Sequence, residues 1–257
     1  MNSRFLFLPL LLVLSVASAK DDVASVSSPA AEKEMQNISL KMTKVLGGKA
    51  PSRIERSVVP GLYEVFVGAK LFYVTPDGNY IVQGTVLDLN TMKDVTEPKM
   101  ASARLKAIES IGEESMLIYP AKGEAKYTLT VFTDIDCPYC KKLHSEMSTL
   151  NDAQVKVRYL LMPRTGKDSP SYQKAVSAWC NADPRKAYTD SVNGEFVEQK
   201  VCDNPVDRHM ELANEMSIAG TPAIILESGT MIPGYVPAAK LIEMLEKDSA
   251  ERKAATH

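Results

Sequence analysis

The chain has 257 residues, 45% of them hydrophobic, and 30 Lys and Arg stand against 32 Asp and Glu for a formal net charge of -2. That is enough apolar material for one large or two smaller cores. The balanced charge argues against a nucleic-acid partner and leaves no polybasic patch for a membrane surface.

Arg4 supplies a positive start, residues 5–16 are almost wholly apolar, and Ala17-Ser18-Ala19 is a small-residue cleavage site. This is the pattern of an export signal over residues 1–19, removed to leave Lys20 as the mature N-terminus. A membrane anchor needs about 20 apolar residues, longer than this run. No Cys stands at the cut to accept a lipid. The mature chain is therefore expected to be soluble and to work in an oxidising compartment.

Residues 21–29 are polar and small. From Ala31 onward Met35, Ile38, Met42 and Leu46 recur at helical spacing until Gly47-Gly48, which predicts a first amphipathic helix. Four β-rich runs follow, at 57–59, 62–67, 71–75 and 80–87, punctuated by Pro60-Gly61, Gly68 and Pro76-Asp77-Gly78-Asn79. Helix and strands make a first domain over 20–96. A core that small is marginal alone, so pairing with a second copy is expected. Pro98 opens a connecting helix over 97–114, with Met100, Leu105, Ile108 and Ile111 on one stripe.

The remainder, 115–257, alternates types. Strands are predicted at 127–135 and 155–162 around a helix at 138–150, then helices to about 218, a strand at 223–227, a turn at Ser228-Gly229 with Met231-Ile232 beyond it, and a last helix at 237–248. This order is an α/β layer architecture.

Four cysteines in an exported chain suggest two disulfides, and three pairings are open. Cys137 and Cys140 enclose two residues, a closure that adds little stability; Cys180 and Cys202 enclose a segment whose closure contributes about 2–4 kcal/mol. One pair thus has a chemical character and the other a structural one. Cys137 falls between strand and helix, where free backbone amides and the helix dipole stabilise a thiolate. Pro138 suits the first helical turn. Cys140, Leu143, Met147 and Leu150 share the apolar face, whereas Lys141, Lys142, Ser145 and Glu146 point outward. Cys137 is accordingly expected to be exposed and Cys140 shielded, as a nucleophile and a resolving thiol require.

A four-thiolate zinc site and a purely structural disulfide at Cys137/Cys140 are the competing readings, and the second pair lacks the close spacing of a zinc knuckle. His144 and Trp179 read as packing residues, Lys141 and Lys142 as solvated charges, and His209 and His257 have no ligand partners at metal spacing. Asn37-Ile38-Ser39 matches a glycosylation acceptor but falls inside the first helix.

Val131-Phe132-Thr133-Asp134, Cys137-Pro138-Tyr139-Cys140-Lys141-Lys142-Leu143-His144, Arg158-Tyr159-Leu160, Trp179-Cys180, Gly220-Thr221-Pro222-Ala223 and Pro233-Gly234-Tyr235, together with Tyr73, Gly78 and Gly84, carry a resemblance to a known family. The chain resembles the bacterial periplasmic protein-disulfide isomerases of the DsbC and DsbG group. The resemblance implies a thioredoxin-like catalytic domain, preceded by the linker helix and a small cystatin-like α+β dimerisation domain, in a V-shaped homodimer with an apolar cleft. It implies a redox-active Cys137-Cys140 pair with no other cofactor or metal, a structural Cys180-Cys202 disulfide, and substrate contacts from Tyr139, Thr221 and Pro222. It also implies a cis Thr221-Pro222 bond, periplasmic localisation, misfolded disulfide-containing exported proteins as substrates, and a membrane thiol reductase of DsbD type as partner. The Cys-Pro-Tyr-Cys sequence is closer to the DsbG-like branch, whereas Cys180 and Cys202 match DsbC-like proteins. Val131 stands where thioredoxin-like relatives can carry a buried acid. The leading expectation is disulfide isomerisation and reduction; the alternatives are reduction of sulfenylated cysteines and a thiol-independent chaperone.

Overall fold

The computed structural model describes residues 28–255. The export signal and His257 lie outside the described residues.

Helix α1 (Pro29–Val45) starts where Ser28 caps it, its hydroxyl accepting from the Ala31 amide with Pro29 in the first turn. Its buried stripe of Ala31, Ile38 and Met42 lies over an antiparallel sheet in the order β1 (Arg53–Arg56), β2 (Tyr63–Val67), β3 (Lys70–Val74), β4 (Ile81–Val82). Ile38 and Met42 pack there on Tyr63, Val65, Val67, Phe72 and Val74. Each such side chain contributes roughly 1.5–3 kcal/mol by leaving water.

Two strand expectations fail here for local reasons. Residues 57–59 form no strand, because the Ser57 amide donates to the Leu62 carbonyl and Leu62 to Val59, folding the run into a turn around Pro60-Gly61. The strand lies upstream, at β1. In 80–87 only Ile81 and Val82 join this sheet, pairing with Val74 and Tyr73. Gly84, at φ 154, breaks the run. Leu87–Asp88 (β5) then pairs with Lys93–Asp94 (β6) in a hairpin absent from the sequence reading.

Helix α2 (Glu97–Glu109) buries Ala101, Arg104 and Ile108, a stripe that shares only Ile108 with the expected one. Arg104 breaks the apolar pattern and is nonetheless 2% exposed. Its guanidinium meets both Glu97 oxygens, at 2.7 and 2.8 Å, and donates to the Gly229 carbonyl at 2.8 Å. A side chain at Gly229 would put its Cβ 2.3 Å from the Ala101 carbonyl oxygen, so only Gly lets the helix approach this closely. Ile108 joins Ala69, in the turn between β2 and β3, to Leu212, Ala213 and Met216 of the second half, so α2 is cemented on both sides.

The second sheet has five strands in the order β11 (Met231–Pro233), β10 (Ala223–Ile225), β8 (Tyr127–Thr133), β9 (Val155–Leu161), β7 (Leu117–Tyr119). β8 and β9 are parallel and the other pairs antiparallel. Edge strand β7 was not read from the sequence; three residues are too short for a period. The pleat sends Leu129 and Val131 to one core and Phe132 to the other, so helices cover both faces. These are α3 (Pro138–Ser145), α4 (Met147–Asp152), α5 (Pro170–Trp179), α6 (Pro184–Asn193), α7 (Val206–Glu215) and α8 (Ala238–Ala255). The single helix expected at 138–150 is interrupted at Glu146, whose backbone leaves the helical region (φ -98, ψ 9) while its carboxylate accepts from the Tyr235 hydroxyl and the Ala238 amide. The last helix runs on to Ala255, past the expected 248.

Candidate active site

Strand β8 ends at Thr133, and helix α3 begins with Pro138 after Cys137 at the N-cap. Cys137 has extended backbone angles (φ -92, ψ 119), and its carbonyl opens the helical ladder by accepting from Lys141 at 3.0 Å. Cys140 lies one turn on, facing the sheet, and its sulfur accepts from the Asp134 amide at 3.5 Å. Both cysteines are free thiols.

The expected exposure of Cys137 is not met: it is only 2% exposed, against 1% for Cys140. The reason is tertiary. The loop carrying the cis Thr221-Pro222 peptide closes over the helix N-terminus, and the Cys137 thiol donates to the Thr221 carbonyl at 3.2 Å. The two sulfurs therefore differ in acidity rather than in burial. Burial pushes the Cys137 thiol up, but hydrogen bonding from the Thr221 side chain, from Cys140 and from the Tyr139 amide outweighs it and leaves Cys137 below its ordinary value. Burial dominates at Cys140 and pushes it up to about 11, against the pull of the Asp134 amide and the Thr133 and Thr221 side chains.

Thr221 thus offers an acceptor to the thiol through its carbonyl. Its buried hydroxyl, otherwise without a hydrogen-bond partner among the described residues, is the side-chain donor that favours the thiolate. Ionisation removes the proton that ties Cys137 to the carbonyl, which loosens the sulfur from the loop.

Asp134, quoted in the sequence only as part of the run before Cys137 and given no role there, organises this corner. Its carboxylate is 2% exposed. It accepts from the Asp136 amide at 3.0 Å, the Arg164 amide at 3.1 Å, the Arg164 Nε at 2.9 Å and the Ser171 hydroxyl. Burial raises its pKa, and these bonds more than reverse that, holding the carboxyl below the usual range. One carboxylate so joins the thiol-bearing turn, the loop after β9 and the first turn of α5. A carboxylate at a strand end, three residues before the first thiol, was the available signal. Asp136 beside it is paired with Lys174 at 2.6 Å.

Tyr139 is 62% exposed, and its ring lies beside Tyr235 at 6.5 Å between centroids. Tyr139, Thr221 and Pro222 therefore belong to the same corner as the thiols. Lys141 is not simply solvated; it reaches the Asn193 carbonyl at 3.2 Å, and Lys142 lies over the Tyr235 ring at 4.6 Å. His144 packs among Tyr119, Tyr159 and Tyr188. Burial lowers its pKa to about 4, which keeps it neutral.

Cys180 and Cys202 lie away from this corner and form a disulfide between the end of α5 and the segment before α7. A four-thiolate zinc set would need those two sulfurs unbonded. Trp179 is half-buried, edge-on to His209. Asn37 donates to the Asp77 carbonyl at 2.8 Å from within α1, so the glycosylation match is occupied by a structural contact.

The model of the disulfide bond isomerase N-terminal domain matches residues 22–97, and the model of a thioredoxin-like domain matches 116–248. The thiol:disulfide interchange protein DsbC of Escherichia coli (strain K12) is 34% identical over 248 residues, covering 96% of this chain and 97% of that one. The chain belongs to the DsbC disulfide-isomerase family. The DsbC of Dickeya dadantii is 33% identical over 251 residues, with 97% of each chain covered. A solved disulfide interchange protein from Neisseria gonorrhoeae is 33% identical, with a TM-score of 0.48, over 53% of this chain and 96% of that one. The family's two domains meet in this chain at α2, the helix held by Arg104 and Gly229.

Proposed function

We propose that the chain isomerises and reduces non-native disulfides of exported proteins, with Cys137 as attacking thiol and Cys140 as resolving thiol. The observation that carries this reading is the placement of two free thiols one helical turn apart, Cys137 at the N-cap of α3 against the Thr221 carbonyl and Cys140 behind it on the Asp134 amide. The Cys137 thiolate attacks one sulfur of a substrate disulfide; the Cys137–substrate bond forms as the substrate bond breaks, and the departing sulfur takes a proton. A second substrate thiol then displaces Cys137, which completes isomerisation. Attack by Cys140 instead releases a reduced substrate and leaves Cys137–Cys140 oxidised. Tyr139, Thr221 and Pro222 border the sulfur and are assigned to substrate contact, with the Thr221 backbone pairing with an extended strand.

An isomerase has to be reduced to begin a cycle, so a membrane thiol reductase of DsbD type is the partner this reading requires. The matched N-terminal domain supports a homodimer. So does the short edge strand β4, where Ile81 and Val82 leave apolar side chains and one backbone edge open beside the exposed Tyr80. Periplasmic localisation follows from the export pattern of residues 1–19. Among the described residues no helix is long and apolar enough to cross a membrane.

The test is refolding of a scrambled multi-disulfide substrate by the reduced protein, run beside reduction of a protein sulfenic acid. Faster turnover on scrambled disulfides is expected. Turnover confined to the sulfenic acid would move the chain to the alternative branch. An Ile81→Lys variant should become monomeric and lose most isomerisation while still reducing simple disulfides; a monomer that isomerises at full rate would remove the dimer from the mechanism.

A further inference from the structure

Tyr139, Lys142 and Glu146 recur at i, i+3 and i+7 along α3 and its C-cap, a spacing that puts all three on one outward face. One residue meets them all. The Tyr235 ring lies 6.5 Å from that of Tyr139 between centroids, 24° from parallel, and the Lys142 Nζ stands 4.6 Å from its centroid. Its hydroxyl donates to the Glu146 carboxylate. The same residue is tied to the loop over Cys137. Strands β10 and β11 pair Ala223 with Pro233. Continuing that register one step places Gly234 opposite Pro222, where its amide donates to the Pro222 carbonyl at 2.8 Å, and a second step places Tyr235 opposite Thr221. Thr221 is the residue whose carbonyl accepts from the Cys137 thiol.

We propose that Tyr235 and Tyr139 form an aromatic seat for the side chain that neighbours the half-cystine of a polypeptide substrate, and that the seat selects aromatic residues there. The proposal rests on Cys137 being the attacking thiol. A substrate joined to that sulfur carries its neighbouring residues only about 3.8 Å away along the chain. They have to lie against whatever borders the sulfur, and beside the Thr221 loop that border is the pair of rings.

The seat is built before substrate arrives. Tyr235 is half-buried, packs against the main core, and is held at its hydroxyl by Glu146, whose other oxygen accepts from the Ala238 amide. A ring fixed in this way presents its face with little further ordering cost on binding. Tyr139 is 62% exposed, so the seat is open to solvent. Aromatic side chains gain from each other's rings beyond the area they bury, in offset or edge-on arrangements. Lys142 is exposed, and its contact with the ring is weak enough for an arriving side chain to displace. A purely structural tyrosine would account for the Glu146 bond but not for the exposed second ring beside it. Neither ring exchanges a proton, and the chemistry at sulfur is unaltered.

The reduced full-length protein is given three disulfides in turn: glutathione disulfide, and the homodimers of two short peptides whose single cysteine is flanked on both sides by Phe or by Ala. Wild type should reduce the Phe peptide about five-fold faster than the Ala peptide at low concentration, the scale of one aromatic contact. The difference should lie in the half-saturating concentration rather than in the limiting rate. Tyr235→Leu should remove the preference, with a larger loss on the Phe peptide than on glutathione disulfide. Tyr235→Phe, which keeps the ring and loses the Glu146 bond, should retain most of it. Equal rates on the two peptides in wild type overturn the seat, as does a preference that persists in Tyr235→Leu. A loss spread evenly over all three disulfides overturns it too, since that is what a merely structural tyrosine would give. Should Tyr235→Leu fail to fold, the contact is read in the Cys140→Ala protein trapped as a mixed disulfide with the Phe peptide. Nuclear Overhauser contacts between a peptide Phe ring and the Tyr235 ring are expected, and their absence overturns the proposal. A wild-type protein that reduces none of the three disulfides overturns the attacking role of Cys137 instead, so the two failures are told apart.

Discussion

Cys137 and Cys140 stand three positions apart and remain thiols, while Cys180 and Cys202, 22 positions apart, are joined. The contrast shows how differently a fold can use one residue type. The first pair is covered by Thr221 and Pro222, surrounded by directed donors, and split in acidity. The second ties the end of α5 to a segment without regular structure before α7, where a covalent bond replaces the packing that the segment lacks. Closing so long a loop limits the unfolded chain; closing the short one barely does.

The largest effect expected is on the chemical pair. Cys137→Ala should reduce both reductase and isomerase rates to the uncatalysed background in an insulin-reduction assay and a scrambled-substrate assay, since Cys140 is too weakly acidic to substitute. Activity retained by that variant would reverse the roles. Cys140→Ala should keep the attack and lose most reductase turnover, with mixed disulfides visible on non-reducing gels and some isomerisation surviving through substrate thiols.

The structural pair should respond in the other currency. Double replacement of Cys180 and Cys202 by Ala should lower stability by about 3 kcal/mol. In a chain of this size that is roughly 6–12 °C in melting temperature. Insulin reduction by the folded variant should persist; its loss would show that the two pairs are not separable.

A finer probe is the charge beside the thiols. Arg164→Gln should raise the Cys137 pKa and slow its alkylation at pH 7 about three-fold, as expected for a partly solvated charge some ångströms away. An unchanged rate would leave the guanidinium with only its bonds to Asp134.

Away from the thiols the comparison can be sharpened by a pH dependence of stability shared by His144 and His209. Burial lowers both to about 4, below the usual 6.5, so the unfolded chain binds more protons between those values and stability falls as the pH drops through them. At pH 4 the loss should be roughly 2–3 kcal/mol for each. Urea midpoints at pH 7 and pH 4.5 measure it, and His209→Gln should flatten the dependence; a midpoint that does not move would mean that both rings are protonated in the folded protein.

Much of this was legible in the chain. The 3.6-residue recurrence of Ile38 and Met42, the run leading into Cys137, and Pro138 just inside a helix are local signals, written by backbone geometry within a few residues. They place the thiols at a helix start and Cys140 on its inner face, and from the start of that helix follows the direction of the Cys137 acidity. Helix α2 was found for the same reason, but its buried stripe was not: Arg104 reads as a surface residue until Glu97 and the Gly229 carbonyl are brought around it.

What sequence could not supply was whatever depends on residues far apart in the chain. Cys137 is covered because a loop 84 positions away crosses the helix N-terminus, and Asp134 is an organising carboxylate because Arg164 and Ser171 arrive beside it. The hydroxyl of Thr133 meets that of Tyr188, 55 residues on. Periodicity records which way a side chain points from its own element. Which group meets it there is decided only when elements pack, and in this protein that packing sets the acidity of each thiol.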